Sequence, residues 1–173
     1  MVSPPTGALI EALRQLAGVI GALTREQYTM RPGEFSGSFI GTHVRHCLDH
    51  VTALVAAAES GVVDYDHRER GTPIESSPAA ALEMIERLVE ALDRIPDAAA
   101  HRPVMLRAVI SAEEPPVELV SSLGREIAYV VSHTTHHSAI IGFLARALGG
   151  GTPDRFGYAA STLAWMAETR CAQ

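Results

Sequence analysis

Six of the eight histidines in this chain of 173 residues fall in two short clusters. His43, His46 and His50 lie in GTHVRHCLDH, and His133, His136 and His137 lie far along the chain in SHTTHHSAI. On a helix, side chains four residues apart are turned by only about 40° and separated by about 6 Å along the axis, so they emerge as neighbours on one face. His133 and His137 form such a pair, as do His46 and His50, with His43 one turn earlier. Two helices of this kind laid side by side would bring imidazoles around a common point. The chemistry that suits such an arrangement is divalent-metal binding.

The His133 and His137 pair shares its helical stripe with Val130, Ile140, Ile141 and Leu144, which directs these rings into a core. A neutral ring nitrogen there needs a partner to offset its lost hydration, and one ion serves both. Any of His43, His46 or His50 would complete a three-histidine set. Such a set leaves coordination positions open for water or substrate, as catalytic rather than structural sites do. Spacing alone does not choose among the three. The competing readings are a hydrogen-bonded histidine core without an ion and a metal-free acid/base site. The latter would need a nucleophile, and nothing marks the adjacent hydroxyls of Ser132, Thr134 and Thr135 as activated. Cys47 is a minor ligand candidate, because its place beside His46 turns it by about 100°.

The elements that must position these residues read as helices. Leu9, Leu13, Leu16, Ile20 and Leu23 recur at three- and four-residue intervals, predicting a helix from about Gly7 to Leu23. Pro32 and Gly33 break the connection that follows it. The second helix is predicted to start at Ser38 as its cap and to run to Ser60, where Gly61 stops it. The polar stretch VVDYDHRERGTPIESSP is expected to be an ordered loop over one end of the bundle, with Val62, Val63 and Tyr65 packed inward. Ser77 followed by Pro78 starts a third helix to about Ile95. Val104, Leu106 and Val109 on one side of Glu113–Pro116, with Val117 and Leu119 on the other, predict a small β-hairpin. A fourth helix from Leu123 to Leu148 and a shorter one from Tyr158 to Thr169 complete an all-α plan, a four-helix bundle plus additions. Phe156, Tyr158 and Trp165 are expected to cover that bundle. Glu126 and Arg125 open the fourth helix, either as a solvated first turn favoured by the helix dipole or as part of the pocket.

Length and composition bound the rest. A chain of this size forms one domain, here 1–173, and can bury a single core. All 14 of its basic residues are scattered arginines set against 20 acidic ones, which argues against nucleic acid as a partner. No apolar run approaches the roughly 18 to 20 residues of a membrane span, and the first residues lack a basic segment followed by an apolar one. Two cysteines, Cys47 and Cys171, give no disulfide framework. A reduced cytoplasm is the expected setting.

FIGTHVRHCLDH, DYDHRER, SSLGREIAYVVSHTTHHSAIIG and FGYAASTLAW together resemble the DinB-like superfamily, helical metalloproteins that include YfiT-type hydrolases and thiol-dependent S-transferases. The likeness spans most of the chain. It implies a DinB-like four-helix bundle holding a divalent ion, zinc or nickel with iron or manganese as further options, and it suggests a homodimer. Carried over by position, the ligands implied are His46, His133 and His137. His136 would then either support a ligating histidine from behind or line the pocket. His50 would be either a fourth ligand, closing the site as a structural brace, or a proton shuttle. Asp49 either receives the second ring N–H of a ligating histidine or pairs with Arg45. The activity implied is hydrolysis, or transfer of a low-molecular-weight thiol to a small electrophile, with His50 and His136 as the accessible candidate general bases. The alternative is a non-enzymatic, metal-braced stress or interaction protein.

Overall fold

A computed structural model describes residues 5–31, 38–67 and 71–171. Four long helices form the body: α1 (Pro5–Ala22), α3 (Ile40–Ser60), α4 (Pro78–Asp93) and α5 (Leu123–Ala147). Each packs against two others, α1 and α3 both contacting α4 and α5. Their apolar stripes meet in one core built around Leu9, Leu13, Ile20, Leu54, Leu92 and Ile127, all fully or almost fully buried. Burying such stripes, rather than helix propensity, is what holds helices of this length in place.

The helix ends follow local chemistry. The Ser77 hydroxyl accepts from the Ala80 N–H and Pro78 occupies the first turn of α4, while the Ser122 hydroxyl caps α5 through the Arg125 N–H. Gly61 ends α3 in the left-handed region at φ 76°, where a residue without Cβ meets no steric penalty. At the start of α3 the expected cap is displaced by one residue. Phe39 takes the cap position, and the Ser38 hydroxyl lies 2.7 Å from Nε2 of His43 instead.

Two elements depart from the sequence expectation. The connection after α1 contains a short helix, α2 (Arg25–Thr29), with a reciprocal Thr24–Gln27 capping box. Its Gln27 side chain also donates to the Leu148 carbonyl at 2.9 Å and so ties α2 to the end of α5. The expected break at Pro32 and Gly33 lies outside the described residues, as do Arg68–Arg70 of the DYDHRER stretch. The predicted hairpin is present as β2 (Pro103–Ala108) and β3 (Val117–Ser122), and it has a third partner. Val62–Asp64, expected to be loop, forms β1 and pairs in parallel with β2, Val63 opposite Leu106. A three-residue strand whose partner lies some forty positions later carries no local periodicity, so only the tertiary pairing defines it.

After α5 the chain turns back through Gly157, at φ 78°, into α6 (Ala160–Cys171). Of the three aromatic residues expected to cover the bundle, only Phe156 does so. Tyr158 is half exposed and Trp165 is 63% exposed. No helix among the described residues is long and apolar enough to cross a membrane.

Candidate metal centre

The two longest helices, α3 and α5, lie side by side and bring both histidine clusters together. The His46 ring centroid is 4.8 Å from that of His133 and 4.6 Å from that of His137, and His133 and His137 are 4.6 Å apart. The rings of His46, His133 and His137 are thus near neighbours. His50 joins them, its ring 4.5 Å from His46 and stacked on His133 at 4.1 Å. Ligand nitrogens of His46, His50 and His133 all lie within 4.8 Å of one another. The ligand-atom grouping therefore takes in His50, while His137 adjoins His46 and His133 by ring proximity.

The donor chemistry fits a divalent ion. Nε2 of His46 and Nε2 of His133 are 2.9 Å apart. Two nitrogens bound to one ion at about 2.1 Å lie roughly 3 to 3.4 Å from each other, so a slight spreading admits it. A backbone carbonyl only accepts, so the 2.9 Å contact from Nδ1 of His50 to the His46 carbonyl places the proton on Nδ1 and the lone pair on Nε2. That is the way ligating imidazoles are usually oriented. Burial, and then the nearby His133, lowers His137 to about 3, and burial followed by His136 lowers His43 as well. Neutral imidazole is the form that ligates. An all-nitrogen set of this kind suits zinc, nickel, copper or iron better than calcium or magnesium.

The neighbours sort themselves around these rings. Nδ1 of His43 lies 3.0 Å from Nδ1 of His137, so His43 supports the outer end of the cluster. His136 stands in solvent, its ring 5.2 Å from that of His137. His50 is only 4% exposed, so of the two imidazoles expected to be accessible only His136 is. Asp49 pairs with Arg45 at 2.7 Å, and Arg45 also meets Glu75 at 2.5 Å, joining α3 to the 3₁₀ turn Pro73–Glu75. Cys47 is fully buried, and burial with the nearby Asp49 pushes its thiol up to about 12, which removes it as a thiolate donor. Thr134 is buried at 0% exposure, and the Thr135 hydroxyl donates to the Val131 carbonyl, so neither is an activated nucleophile.

Sequence reading missed the layer behind the rings. Tyr65 stacks on His50 at 5.0 Å and 12°, and its hydroxyl donates to Glu126 at 3.0 Å. Burial and the Glu126 carboxylate push that hydroxyl well above its ordinary range and keep it a donor. Glu126 is fully buried, which overturns the reading of it as a solvated first turn. A signal was present, because Glu126 lies on the same stripe as Val130, His133 and His137, a charged residue at a core-facing position.

Fold and site together define a four-helix-bundle protein with a candidate histidine metal centre between two of its helices. The chain belongs to the DinB superfamily, whose sequence profile matches residues 8–141. The structure is similar to that of the DinB-like protein YjoA from Bacillus subtilis, with a TM-score of 0.61 over 91% of this chain and 100% of that one. At 14% identity this likeness concerns the fold alone. The sequence is also 35% identical over 103 residues to the FK506-binding protein 5 of Rhizopus delemar. The match takes in 59% of this chain and spans 27% of the length of that relative.

Proposed function

We propose that this chain is a metal-dependent enzyme, a hydrolase or a low-molecular-weight-thiol S-transferase, acting on a small electrophilic molecule. The ion is zinc or nickel, or alternatively iron or manganese, held by His46, His133 and His137. The observation that carries this reading is the asymmetry of the cluster. His50 closes its inner end at 4% exposure, while the outer end ends on half-buried His137 with solvent-exposed His136 beside it. In this reading the open coordination positions lie at the outer end, the side from which a substrate arrives. A divalent ion there supplies a nucleophile at neutral pH, by lowering the pKa of water toward about 7 or by stabilising a thiolate. In this reading the exposed His136 accepts and returns the proton, and His43 holds the His137 ring in register.

Elemental analysis of the purified protein beside a His133→Ala, His137→Ala double variant tests the ion. A divalent metal near one equivalent in the wild type and none in the variant is expected, and equal contents would remove the basis of the reading. Assays with cellular thiols and model electrophiles, and with simple esters and amides, then separate the two reaction classes.

A second reading has its own support in the grouping of His50 with His46 and His133. With His50 as a fourth ligand, the coordination sphere closes and the ion becomes a brace in a non-enzymatic stress or interaction protein. Coordination number measured by X-ray absorption discriminates, since four protein nitrogens favour the brace.

A further inference from the structure

Behind the histidines, six side chains form a closed circuit. Starting at Glu126, the Tyr65 hydroxyl donates to its carboxylate at 3.0 Å. The Tyr65 ring lies flat against His50 at 5.0 Å, and His50 lies against His133 at 4.1 Å. Tyr129, one turn before His133 on α5, stacks on it from another side at 5.6 Å and 24°. The Arg125 guanidinium sits 5.5 Å over the Tyr129 ring. Arg125 then donates back to Glu126 at 2.9 Å, closing the loop, and the Ser121 hydroxyl adds a third donor to the carboxylate at 2.5 Å. The two tyrosine rings also touch each other at 5.3 Å.

A carboxylate with no exposed surface is retained only where its hydrogen bonds compensate its lost hydration. Three donors from three side chains do so here, and they fix the carboxylate in space. The circuit draws on the start of α5, the residue after β1, the end of β3 and the middle of α3. It therefore links the small sheet to the histidine rings. An imidazole turns about two side-chain torsions, and rings packed on its faces block those rotations before any ligand binds. Fixing a binding group in advance removes an ordering cost from the binding step.

We propose that Tyr65, Tyr129 and the Arg125–Glu126 pair are positioning residues that hold His133, directly and through His50, in its metal-ready orientation, and thereby set the affinity of the centre. The proposal rests on the reading of the histidines as a metal centre. None of the four residues belongs to the histidine set, and their effect passes through the imidazoles.

The test uses full-length protein stripped of metal, titrated with zinc against a chromogenic chelator, and loaded separately with cobalt(II) for its visible spectrum. Tyr65→Phe keeps the ring on His50 and removes only the hydroxyl bond to Glu126, so it preserves the fold. Tyr129→Leu and Glu126→Gln remove larger parts of the circuit. Expected are zinc dissociation constants raised about tenfold in Tyr65→Phe and up to about a hundredfold in the other two, in the range known for partners of ligating histidines. The cobalt bands should shift, with metal-free circular dichroism unchanged for Tyr65→Phe. A lowered melting temperature with an unchanged zinc constant and cobalt spectrum would assign these residues to folding alone and overturn the proposal. A wild type that takes up no zinc would instead overturn the metal reading itself, and the proposal with it.

Discussion

The two ends of the histidine cluster are built by different physics. At the inner end, His50 is buried, bonded through Nδ1 to a backbone carbonyl and stacked on Tyr65, with a hydrogen-bonded carboxylate behind. At the outer end, His137 and His43 face each other through their Nδ1 atoms, half buried, with His136 in solvent. The inner rings are held by partners that exist without an ion. The outer rings hold each other, beside solvent. The proposed enzymatic reading takes the outer side as the one open to substrate, and the braced alternative takes the rigid inner side as the one that closes on the ion.

The largest effect should come from His133, which adjoins His46, His50 and His137 alike. His133→Ala is expected to abolish stoichiometric zinc binding, read by equilibrium dialysis and elemental analysis, and retention of one equivalent would break the comparison at its root. Next, the two ends should respond differently to truncation. His137→Ala is expected to lose the ion while keeping its melting temperature within a few degrees. His50→Ala should keep the ion at reduced affinity and lose about 2 kcal/mol of stability, because it opens a cavity at a buried position. The opposite pattern, with His50 indispensable for the ion, would favour the braced protein.

A smaller effect should appear with pH. His137 in the folded, metal-free protein titrates at about 3 against an ordinary 6.5. The folded value lies below the unfolded one, so the contribution of the neutral ring to stability is complete above about pH 6.5 and declines as the pH falls toward 3. Urea midpoints of metal-free protein should drop between about pH 7 and about pH 5, and the drop should be shallower in His137→Phe. The smallest expected effect is none at all. In a Cys171→Ser background, native Cys47 should resist alkylation at neutral pH and react only on unfolding, since its thiol is buried and pushed up to about 12. Rapid native labelling would show that the α3 side of the site opens.

The four long helices were legible because each carries an apolar stripe at helical spacing, and Gly61, Ser77 and Pro78 mark where two of them stop and start. That the two histidine clusters meet was legible for the same reason, since identical residues four apart on two stripes can face one another. What sequence could not give is depth. The spacing of His50 is indistinguishable from that of His46, yet one ring is sealed behind Tyr65 and the other is half open. Tyr65 reaches the site only because β1 pairs with a strand far along the chain. Glu126 was readable as misplaced on an apolar face, but its partners come from three separate segments.

The chain holds a single tryptophan, Trp165, and it stands on α6 away from the buried core, 63% exposed. Its fluorescence therefore starts out close to that of indole in water and should change little when the helical body melts. An emission shift toward the blue would instead report that something has come to rest against the C-terminal helix, giving the protein an intrinsic optical probe of contact at that surface.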